Sequence, residues 1–238
     1  HVDNSIENPE IFIETNVKGV YKLLHACYKN WMISNFKYKP NFTHSRFHQI
    51  STDEVYGSTL KGSFKEDDVC MPNSPYSASK ASADMIVRSY SKTYGLNSVI
   101  SRCSNNFGLN QHQEKFIPMI IKSIRNNIPI RVYGDGSNVR DWIYVIDHCI
   151  AIDLIYNNGE NCSIYNVAGK NEMTNLELIE MIYSIIGEKY IKSINFIHDR
   201  FGHDKRYSVD ISKIRTELSW KPSFDITLTL SNLLKKIN

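Results

Sequence analysis

Tyr76 and Lys80 are the two residues whose types and spacing indicate chemistry most strongly. They enclose the segment Tyr-Ser-Ala-Ser-Lys, and residues four apart on a helix lie on the same face. A neighbouring ammonium group favours the phenolate, so Lys80 is expected to lower the pKa of Tyr76 from its ordinary value of about 10. Tyr76 is therefore a candidate general base for a hydroxyl proton. The alternative is an exposed helix that carries the two residues by chance.

A second group of polar residues follows a short run, residues 47–51, that predicts a buried strand. Thr52, Asp53 and Glu54 come directly after it, where a parallel sheet would bring them to its carboxyl edge. A hydroxyl can hold a substrate hydroxyl group. Two adjacent carboxyl groups push their pKa values apart and can divide the roles of acid and base. The alternative is a solvated acidic turn, but the nearby Tyr-x-x-x-Lys pair favours the catalytic interpretation.

The elements that must position these residues alternate between helices and strands. Apolar spacing, capping residues and glycine stops predict helices over residues 9–30, 75–94, 117–127, 147–156, 174–187 and 226–237. Strands are predicted over residues 47–51, 98–103, 163–167 and 194–198, with two extended pieces beside a turn at 134–136 and a loop over 34–45. This alternation predicts a mostly parallel sheet flanked by helices.

The composition excludes several classes of protein. Of the 238 residues, 42% are hydrophobic and 22% are charged, which is typical of a folded globular chain. A net charge of +3 gives no argument for nucleic-acid binding, and no apolar run approaches the ~20 residues of a membrane helix. The five cysteines form no Cys-x-x-Cys pair. We therefore expect no disulfide framework, no metal site and a reducing, cytoplasmic location.

Several motifs occur in order along the chain, and they are Ser51-Thr-Asp-Glu-Val-Tyr-Gly57, Pro75-Tyr-Ser-Ala-Ser-Lys-Ala81, Arg102-Cys-Ser-Asn-Asn-Phe-Gly108, Arg140-Asp-Trp-Ile-Tyr-Val145 and Asp199-Arg-Phe-Gly-His-Asp-Lys-Arg-Tyr207. Together with the opening His1-Val-Asp and with Phe12-Ile-Glu-Thr-Asn16, they resemble the nucleoside-diphosphate-glucose 4,6-dehydratases. That family belongs to the extended short-chain dehydrogenases/reductases. Thr-Asp-Glu is the discriminating triplet, because nucleotide-sugar 4-epimerases and decarboxylases typically lack an acid in its middle position.

The resemblance implies an α/β fold, a Rossmann-like doubly wound parallel sheet without its N-terminal units, followed by a smaller C-terminal α/β substrate domain. Residues 1–107, with 139–168 returning to them, are expected to form the remainder of the NAD-binding domain. Residues 108–138 and 169–238 are expected to form the nucleotide-sugar domain. The Gly-rich phosphate turn that opens such a fold does not occur in these residues. We therefore expect the sequence to be a processed or truncated product of a longer protein.

The resemblance also implies a reaction, the dehydration of dTDP- or UDP-glucose to the 4-keto-6-deoxy sugar, an early step towards rhamnose or another deoxysugar. NAD carries the oxidation at C4 and the reduction at C6. Tyr76 removes the proton of the 4-hydroxyl group, which Thr52 holds. The 4-ketone acidifies the C5 hydrogen, which Glu54 removes while Asp53 protonates the departing 6-hydroxyl group. Lys80 completes the catalytic set and hydrogen-bonds the cofactor ribose.

Further residues match positions of the family that contact cofactor or substrate. The expected NAD contacts are Thr15, Ser51, Tyr76, Lys80, Cys103 and Asn106. The expected contacts of the nucleotide-diphosphate arm are Asn105, Lys115, Phe116, Arg131, Tyr133, Arg140, Asn175, Arg200, His203 and Tyr207. Fixed donors and cations are what a diphosphate requires. A surface charge remains the alternative for Lys115, and a turn-forming role the alternative for Asn106.

Small side chains on the helix of Tyr76 permit close approach of a second helix, and the resemblance implies a homodimer, which an Ala83→Trp change would disrupt. Two other functions stay open. One is a nucleotide-sugar 4-epimerase or decarboxylase on the same scaffold. The other is a truncated, non-catalytic remnant that binds nucleotide sugars. The residues do not distinguish a uracil from a thymine nucleotide.

Overall fold

A computed structural model describes residues 2–187 and 192–236 of the chain. Its helices are α1 (Val2–Glu7), α2 (Pro9–Phe12), α3 (Val20–Trp31), α4 (Pro75–Tyr94), α5 (Phe116–Arg125), α6 (Val145–Asn158), α7 (Asn175–Ile186), α8 (Ser212–Leu218) and α9 (Ile226–Lys236). Its strands are β1 (Met32–Ser34), β2 (Lys37–Tyr38), β3 (Phe47–Thr52), β4 (Ser98–Cys103), β5 (Asn105–Phe107), β6 (Ile130–Tyr133), β7 (Val139–Tyr144), β8 (Ser163–Val167), β9 (Glu172–Thr174) and β10 (Ile194–Ile197).

A parallel sheet in the order β3-β4-β8 forms the first half of the fold. Successive strand residues point to opposite faces. Val99 packs into a core that includes Ala151 of α6, whereas Ile100 packs with Leu24 of α3 and Val87 of α4. Helices therefore cover both faces of the sheet, as the alternation of elements predicts.

The edges of this sheet have different neighbours. Thr52 is paired with Cys103, and Cys103 with Val167, so the carboxyl ends of all three strands meet. Within the described residues β3 pairs only with β4. The other edge of β3 carries Ile50, whose side chain is 38% exposed.

A second core joins the remaining strands to the later helices. The strand β7 lies between β5, which is parallel to it, and β9, which is antiparallel. The strand β6 pairs in parallel with β10. Helices α5, α7 and α9 cover these strands with the buried side chains Ile120, Ile124, Leu178, Ile182 and Leu230.

The bounds of α4 follow from local chemistry. The Ser74 hydroxyl accepts a hydrogen bond from the backbone N–H of Ser77, and the Ser77 hydroxyl accepts one from the backbone N–H of Ser74. Pro75 occupies the first turn, and Gly95 ends the helix in the left-handed conformation with φ of 74°. The predicted helix over 75–94 is confirmed, as are the strands over 98–103 and 163–167.

Two predictions for the first part of the chain are wrong in detail. Residues 9–30 do not form one regular helix, because a π-helical stretch, Ile13–Gly19, separates α2 from α3. Residues 34–45 are not only loop, since the hairpin of β1 and β2 and a short 3-10 helix, Pro40–Phe42, occupy part of them. The sequence pattern also missed α1.

Other differences concern short elements and ends. The strands β5 and β9 and the helix α8 were not predicted, and each of the two strands is three residues long and pairs with β7. The remaining predicted helices and the strand over 194–198 differ from the observed ones by a few residues at their ends. His1 and Ile237, which fall within predicted segments, lie outside the described residues.

Two findings bear on the classes of protein considered from composition. Among the described helices none combines the length and the apolar character that crossing a membrane requires. In the same part of the chain no group of three histidine, cysteine, aspartate or glutamate side chains is placed to hold a metal ion.

Candidate active site

A cleft of about 450 Å³ lies between the carboxyl end of β3 and the second core. The catalytic candidates Glu54 and Tyr76 line it. Every residue predicted to contact the nucleotide-diphosphate arm lines it as well, namely Asn105, Lys115, Phe116, Arg131, Tyr133, Arg140, Asn175, Arg200, His203 and Tyr207. Residues distant in sequence thus share one cavity. Trp142 is buried and also forms part of the cleft wall.

The Thr52-Asp53-Glu54 triplet sits where β3 ends and a 3-10 helix, Asp53–Tyr56, begins. The Thr52 hydroxyl accepts a 3.3 Å hydrogen bond from the backbone N–H of Glu54 and donates one of 3.3 Å to Oδ1 of Asp53. Gly57 ends this turn with φ of 82°. The turn therefore fixes the positions of the Thr52 hydroxyl and of the Asp53 and Glu54 carboxyl groups at the edge of the sheet.

The two carboxyl groups of the triplet differ in their surroundings. Asp53 is 3% exposed, and its Oδ2 has no hydrogen-bond partner among the described residues. Burial raises the pKa of Asp53 well above its ordinary value, and the charges of Glu54 and Asp141 raise it further. Burial also raises the pKa of Glu54, but the Arg140 guanidinium opposes that shift most strongly. Asp53 is therefore the better proton donor of the pair, and Glu54 the better acceptor.

Tyr76 lies in the first turn of α4 with its backbone N–H donating to Oγ of Ser5 over 3.1 Å. Its ring meets that of Phe12 edge to face, with centroids 6.2 Å apart. Burial raises the pKa of Tyr76, and the charge of Glu54 adds to this effect, whereas a hydrogen bond with Thr52 lowers the pKa. The predicted lowering of the Tyr76 pKa is therefore wrong for this structure, because burial beside carboxyl groups outweighs any stabilisation of the phenolate.

Lys80 is hydrogen-bonded to the backbone of β3. Its Nζ donates a 2.6 Å hydrogen bond to the carbonyl oxygen of Ile50. Burial lowers the pKa of Lys80. The ammonium group thus lies at the carboxyl end of β3, one helical turn from Tyr76 and on the same helix face.

The other candidates for cofactor binding fall into two groups. Ser51 and Cys103 are buried where β3 and β4 end, and the Cys103 thiol donates to the Ser51 carbonyl over 3.6 Å. Burial raises the pKa of Cys103 to about 12, so its thiol is neutral. Asn106 follows on β5 and donates to Sγ of Cys103 over 3.5 Å. Thr15 is exposed on the π-helical stretch, and the structure does not bring it to the cleft.

Two arginines of the cleft lie against aromatic rings. Arg140 donates a 2.9 Å hydrogen bond to the backbone oxygen of Asp204, and its guanidinium lies 4.2 Å from the ring centroid of Tyr207. Arg200 lies in the same way over Tyr133, at 4.3 Å. Stacking on an aromatic ring holds a guanidinium in one plane, which suits it to the planar, two-point recognition of phosphate oxygens.

Sequence reasoning missed three residues that position this cleft. Ser5 is fully buried and caps the backbone of Tyr76. Asp3 forms an ion pair with Arg200 at 3.2 Å. Asp204 accepts a 2.8 Å hydrogen bond from the hydroxyl of Tyr207. Asp204 and Asp3 lie inside quoted motifs, whereas Ser5 belongs to the rest of α1, which no apolar periodicity indicated.

Comparison with known proteins gives consistent results. The sequence profile of the family described as GDP-mannose 4,6 dehydratase matches residues 1–233. The dTDP-glucose 4,6-dehydratase of Salmonella typhimurium is 42% identical over 238 residues, which cover 93% of this chain and 65% of that protein. The low-salt glycan biosynthesis protein Agl12 of Haloferax volcanii is 45% identical, with 94% of this chain and 68% of that protein covered.

Solved structures agree with the sequence relatives. DesIV, a dTDP-glucose 4,6-dehydratase of Streptomyces venezuelae crystallised with NAD and TYD, superposes with a TM-score of 0.90 at 39% identity. The match covers 99% of this chain and 69% of DesIV. The chain thus spans about two thirds of the length of the proteins it matches, and just under two thirds, 65%, of the Salmonella enzyme. The Rossmann-like α/β fold and the predicted resemblance are confirmed, and the chain belongs to the GDP-mannose 4,6 dehydratase family.

Proposed function

We propose that this chain carries the catalytic centre of a nucleoside-diphosphate-glucose 4,6-dehydratase. The observation that carries the proposal is the triplet at the end of β3. It sets the buried carboxyl group of Asp53, whose pKa burial raises well above its ordinary value, directly beside Glu54, which lines the cleft together with Tyr76. Elimination of water needs an acid for the leaving hydroxyl group and a base for the neighbouring hydrogen. Epimerisation needs neither of these two groups, so the pair favours dehydration.

The residues divide the proton transfers among them. Thr52 holds the 4-hydroxyl group of the sugar, and Tyr76 takes its proton as C4 becomes a carbonyl. The carbonyl makes the C5 hydrogen acidic, and Glu54 removes it. Asp53 gives its proton to the 6-hydroxyl group, which leaves as water. Burial raises the pKa of Asp53, which favours the protonated form that this step requires.

NAD is the cofactor we propose, and when bound it would supply the oxidation at C4 and the reduction at C6. Lys80 and Tyr76 fit such a group, because their ammonium and phenol groups lie on one face of α4 beside the carboxyl end of β3, whereas the Ser51 hydroxyl is directed to Asp84. The crystal structure of DesIV with NAD supports the proposal. The raised pKa of Tyr76 also implies that the phenol needs a further positive charge to act as a base.

We propose dTDP-glucose as the first substrate to test, since relatives with about two fifths of their residues identical are named as dTDP-glucose 4,6-dehydratases. Arg140 and Arg200, stacked on aromatic rings in the cleft, suit a diphosphate. The product would be the 4-keto-6-deoxy sugar, and the reaction would be an early step towards rhamnose or another deoxysugar.

The decisive experiment uses the full-length protein that contains this chain. It is incubated with NAD and either dTDP-glucose or UDP-glucose, and the products are analysed by mass spectrometry. Loss of one water from either sugar supports the proposal. An isomer of unchanged mass would indicate a 4-epimerase, and loss of carbon dioxide from a nucleotide-linked uronic acid a decarboxylase. Binding of the nucleotide sugar without any turnover would indicate a non-catalytic remnant.

A homodimer is the assembly we propose, with a correction to its test. Ala83 is 1% exposed within its own chain, so Ala83→Trp would disturb the core rather than an interface. The outer face of α4 instead presents Ser82 and Met85, and Met85 is 48% exposed. A charged side chain is disfavoured in the centre of an apolar interface. Met85→Glu should therefore shift the dimer to monomer in light scattering, while Thr216→Glu, at an exposed position of α8, serves as the matched control.

We further propose that residues 1–107 and 139–168 form the NAD-binding domain and that the rest forms the nucleotide-sugar domain. The core of the first sheet includes Ile143 and Val167, which supports the return of 139–168 to it.

All five cysteines are free thiols. Free thiols are typical of a reducing compartment, which supports a cytoplasmic location.

A further inference from the structure

The carboxylate of Asp84 is a deeply buried charge that the proposed reaction does not use. Asp84 lies on α4 two turns after Tyr76 and one turn after Lys80, so the three side chains share one face of the helix. The residue is 1% exposed. Its Oδ2 lies 3.0 Å from Nε of Arg102 on β4 and accepts a 3.0 Å hydrogen bond from Oγ of Ser51 on β3. A buried carboxylate of this kind is retained only with such partners.

The bond to Ser51 ties α4 to β3 beside the catalytic triplet. Ser51 directly precedes Thr52 and directly follows Ile50, whose carbonyl oxygen accepts a 2.6 Å hydrogen bond from Lys80. The helix is therefore hydrogen-bonded to two consecutive residues of β3 through the side chains of Lys80 and Asp84. These two contacts fix the position of α4 along β3 next to the Thr52–Glu54 triplet.

We propose that Asp84 is a positioning residue, which fixes α4 against β3 and so holds Tyr76 and Lys80 opposite the Thr52–Glu54 triplet. The inference rests on the proposed function, because the position of α4 along β3 affects turnover only if the reaction takes place at Tyr76. The carboxylate also acts on its neighbour through charge. Burial lowers the pKa of Lys80, and Asp84 is the strongest influence that opposes this shift.

A purely structural ion pair is the alternative. Arg102 is 1% exposed and lies over the ring of Tyr56, 4.7 Å from its centroid, so the pair also binds α4 to the core. Loss of a structural pair lowers stability alone. Loss of a positioning residue lowers the turnover of correctly folded protein as well.

Two variants of the full-length protein separate these roles. Asp84→Asn removes the charge, and Ser51→Ala removes only the hydrogen bond to β3. Ser98→Ala is the matched control, because Ser98 is a buried serine of β4 that hydrogen-bonds Ser91 at the opposite end of α4. Ser51→Thr restores a hydroxyl group and tests for rescue. Unfolding temperatures are recorded for all variants.

The first measurement needs neither cofactor nor turnover. Each protein is labelled with acetic anhydride over a range of pH, and the extent of Lys80 acetylation is read by peptide mass spectrometry. Asp84→Asn should move the midpoint of Lys80 labelling to lower pH, since a stabilising negative charge is lost. Ser98→Ala should label like the parent. An unchanged Lys80 midpoint in folded Asp84→Asn would overturn the proposal.

The second measurement is turnover of the nucleotide sugar. Asp84→Asn and Ser51→Ala should each lower kcat about tenfold or more with KM changed less than about twofold, because misplaced groups act on the chemical step. Ser51→Thr should recover most of kcat. If Asp84→Asn does not fold, equal kcat values for Ser51→Ala and Ser98→Ala overturn the proposal. A parent protein that turns over no nucleotide sugar refutes the proposed function instead, and the labelling result then still decides the influence of Asp84 on Lys80.

Discussion

Asp3 and Arg200 form an ion pair in the wall of the cleft, with Oδ1 of Asp3 lying 3.2 Å from Nε of Arg200. Asp3 belongs to α1 and Arg200 follows β10, so the contact joins the start of the described chain to the segment after β10. The hydroxyl of Tyr133, beneath the guanidinium, donates to Asp3 over 3.4 Å. The carboxylate and the aromatic ring together orient Arg200 before any ligand arrives, which reduces the cost of ordering it on binding.

Replacing Arg200 should weaken binding more than chemistry. Arg200→Ala removes a stacked guanidinium that suits a diphosphate, so KM for the nucleotide sugar should rise about tenfold or more while kcat changes little. Arg200→Lys should not restore KM, because an ammonium lacks the planar fork. Initial-rate kinetics measure both constants. Arg88→Ala, an exposed charge on α4, is the control, and an equal effect of the two alanine variants would contradict the expectation.

Variants of the two carboxyl groups of the triplet should block the reaction at a later step than a variant of Tyr76. Asp53→Asn and Glu54→Gln should each lower turnover about 100-fold or more, because a positioned acid or base is lost. The oxidation at C4 needs neither group, so reduced cofactor should accumulate in a single turnover followed by absorbance. Tyr76→Phe should give no reduced cofactor. Normal turnover of Asp53→Asn would refute its role as the acid.

His148 should make the fold sensitive to acid. Burial lowers its pKa from 6.5 to about 4, and its Nδ1 lies 2.9 Å from Oδ1 of Asn106. Since the unfolded chain binds this proton more readily, stability is unaffected above pH 6.5 and falls as the pH drops towards 4, by up to about 3 kcal/mol from this residue.

Urea unfolding at pH 7 and pH 4.5 measures this effect as a difference between variants. The loss of unfolding free energy between the two pH values should be about 2–3 kcal/mol smaller in His148→Gln than in the parent. Buried carboxyl groups with raised pKa values act with the opposite sign, but they contribute equally to both proteins. His44→Gln, at an exposed position, should behave like the parent. Equal pH dependence in His148→Gln and the parent would contradict the prediction.

Gly57 should tolerate no side chain. Its φ is 82°, and a Cβ atom would clash with the backbone oxygen of Met71. Gly57→Ala should therefore lower the free energy of unfolding by about 2–4 kcal/mol, through strain and displacement of the turn that carries Glu54. Gly62 has φ of 71° with no atom within 4 Å of a Cβ, so Gly62→Ala should cost only about 1 kcal/mol. Similar losses in thermal or urea unfolding would show that the contact with Met71 relaxes freely.

The elements that the sequence predicted best are those whose causes are local. Ser74, Pro75 and Gly95 set both ends of α4 within a few residues of themselves, and the helix has the predicted bounds. The three-residue strands β5 and β9 were missed because they exist through pairing with β7, which lies far from β5 in the sequence. The helix α1 was missed because it is fixed by tertiary contacts of Ser5 and Asp3.

The candidate site shows the same division. The residues predicted to contact the substrate could be named because motifs along the chain matched one family, and the fold brings them to one cleft. The pKa of Tyr76 could not be predicted from Lys80 alone, because burial and the charge of Glu54 depend on the packing of α4 against β3. Asp84 carried no motif of its own, and only the structure reveals its bond to Ser51.

The unpaired side of β3 has a consequence for handling the described polypeptide. An open strand edge is a template on which another strand, from any molecule, can add its backbone hydrogen bonds. The exposed side chain of Ile50 adds apolar surface that favours association at this edge. Lys80 opposes it, because its hydrogen bond to the Ile50 carbonyl oxygen removes one acceptor that an added strand would need. A peptide designed to extend β3 in parallel should therefore suppress concentration-dependent aggregation of this chain, and Lys80→Met should accelerate it.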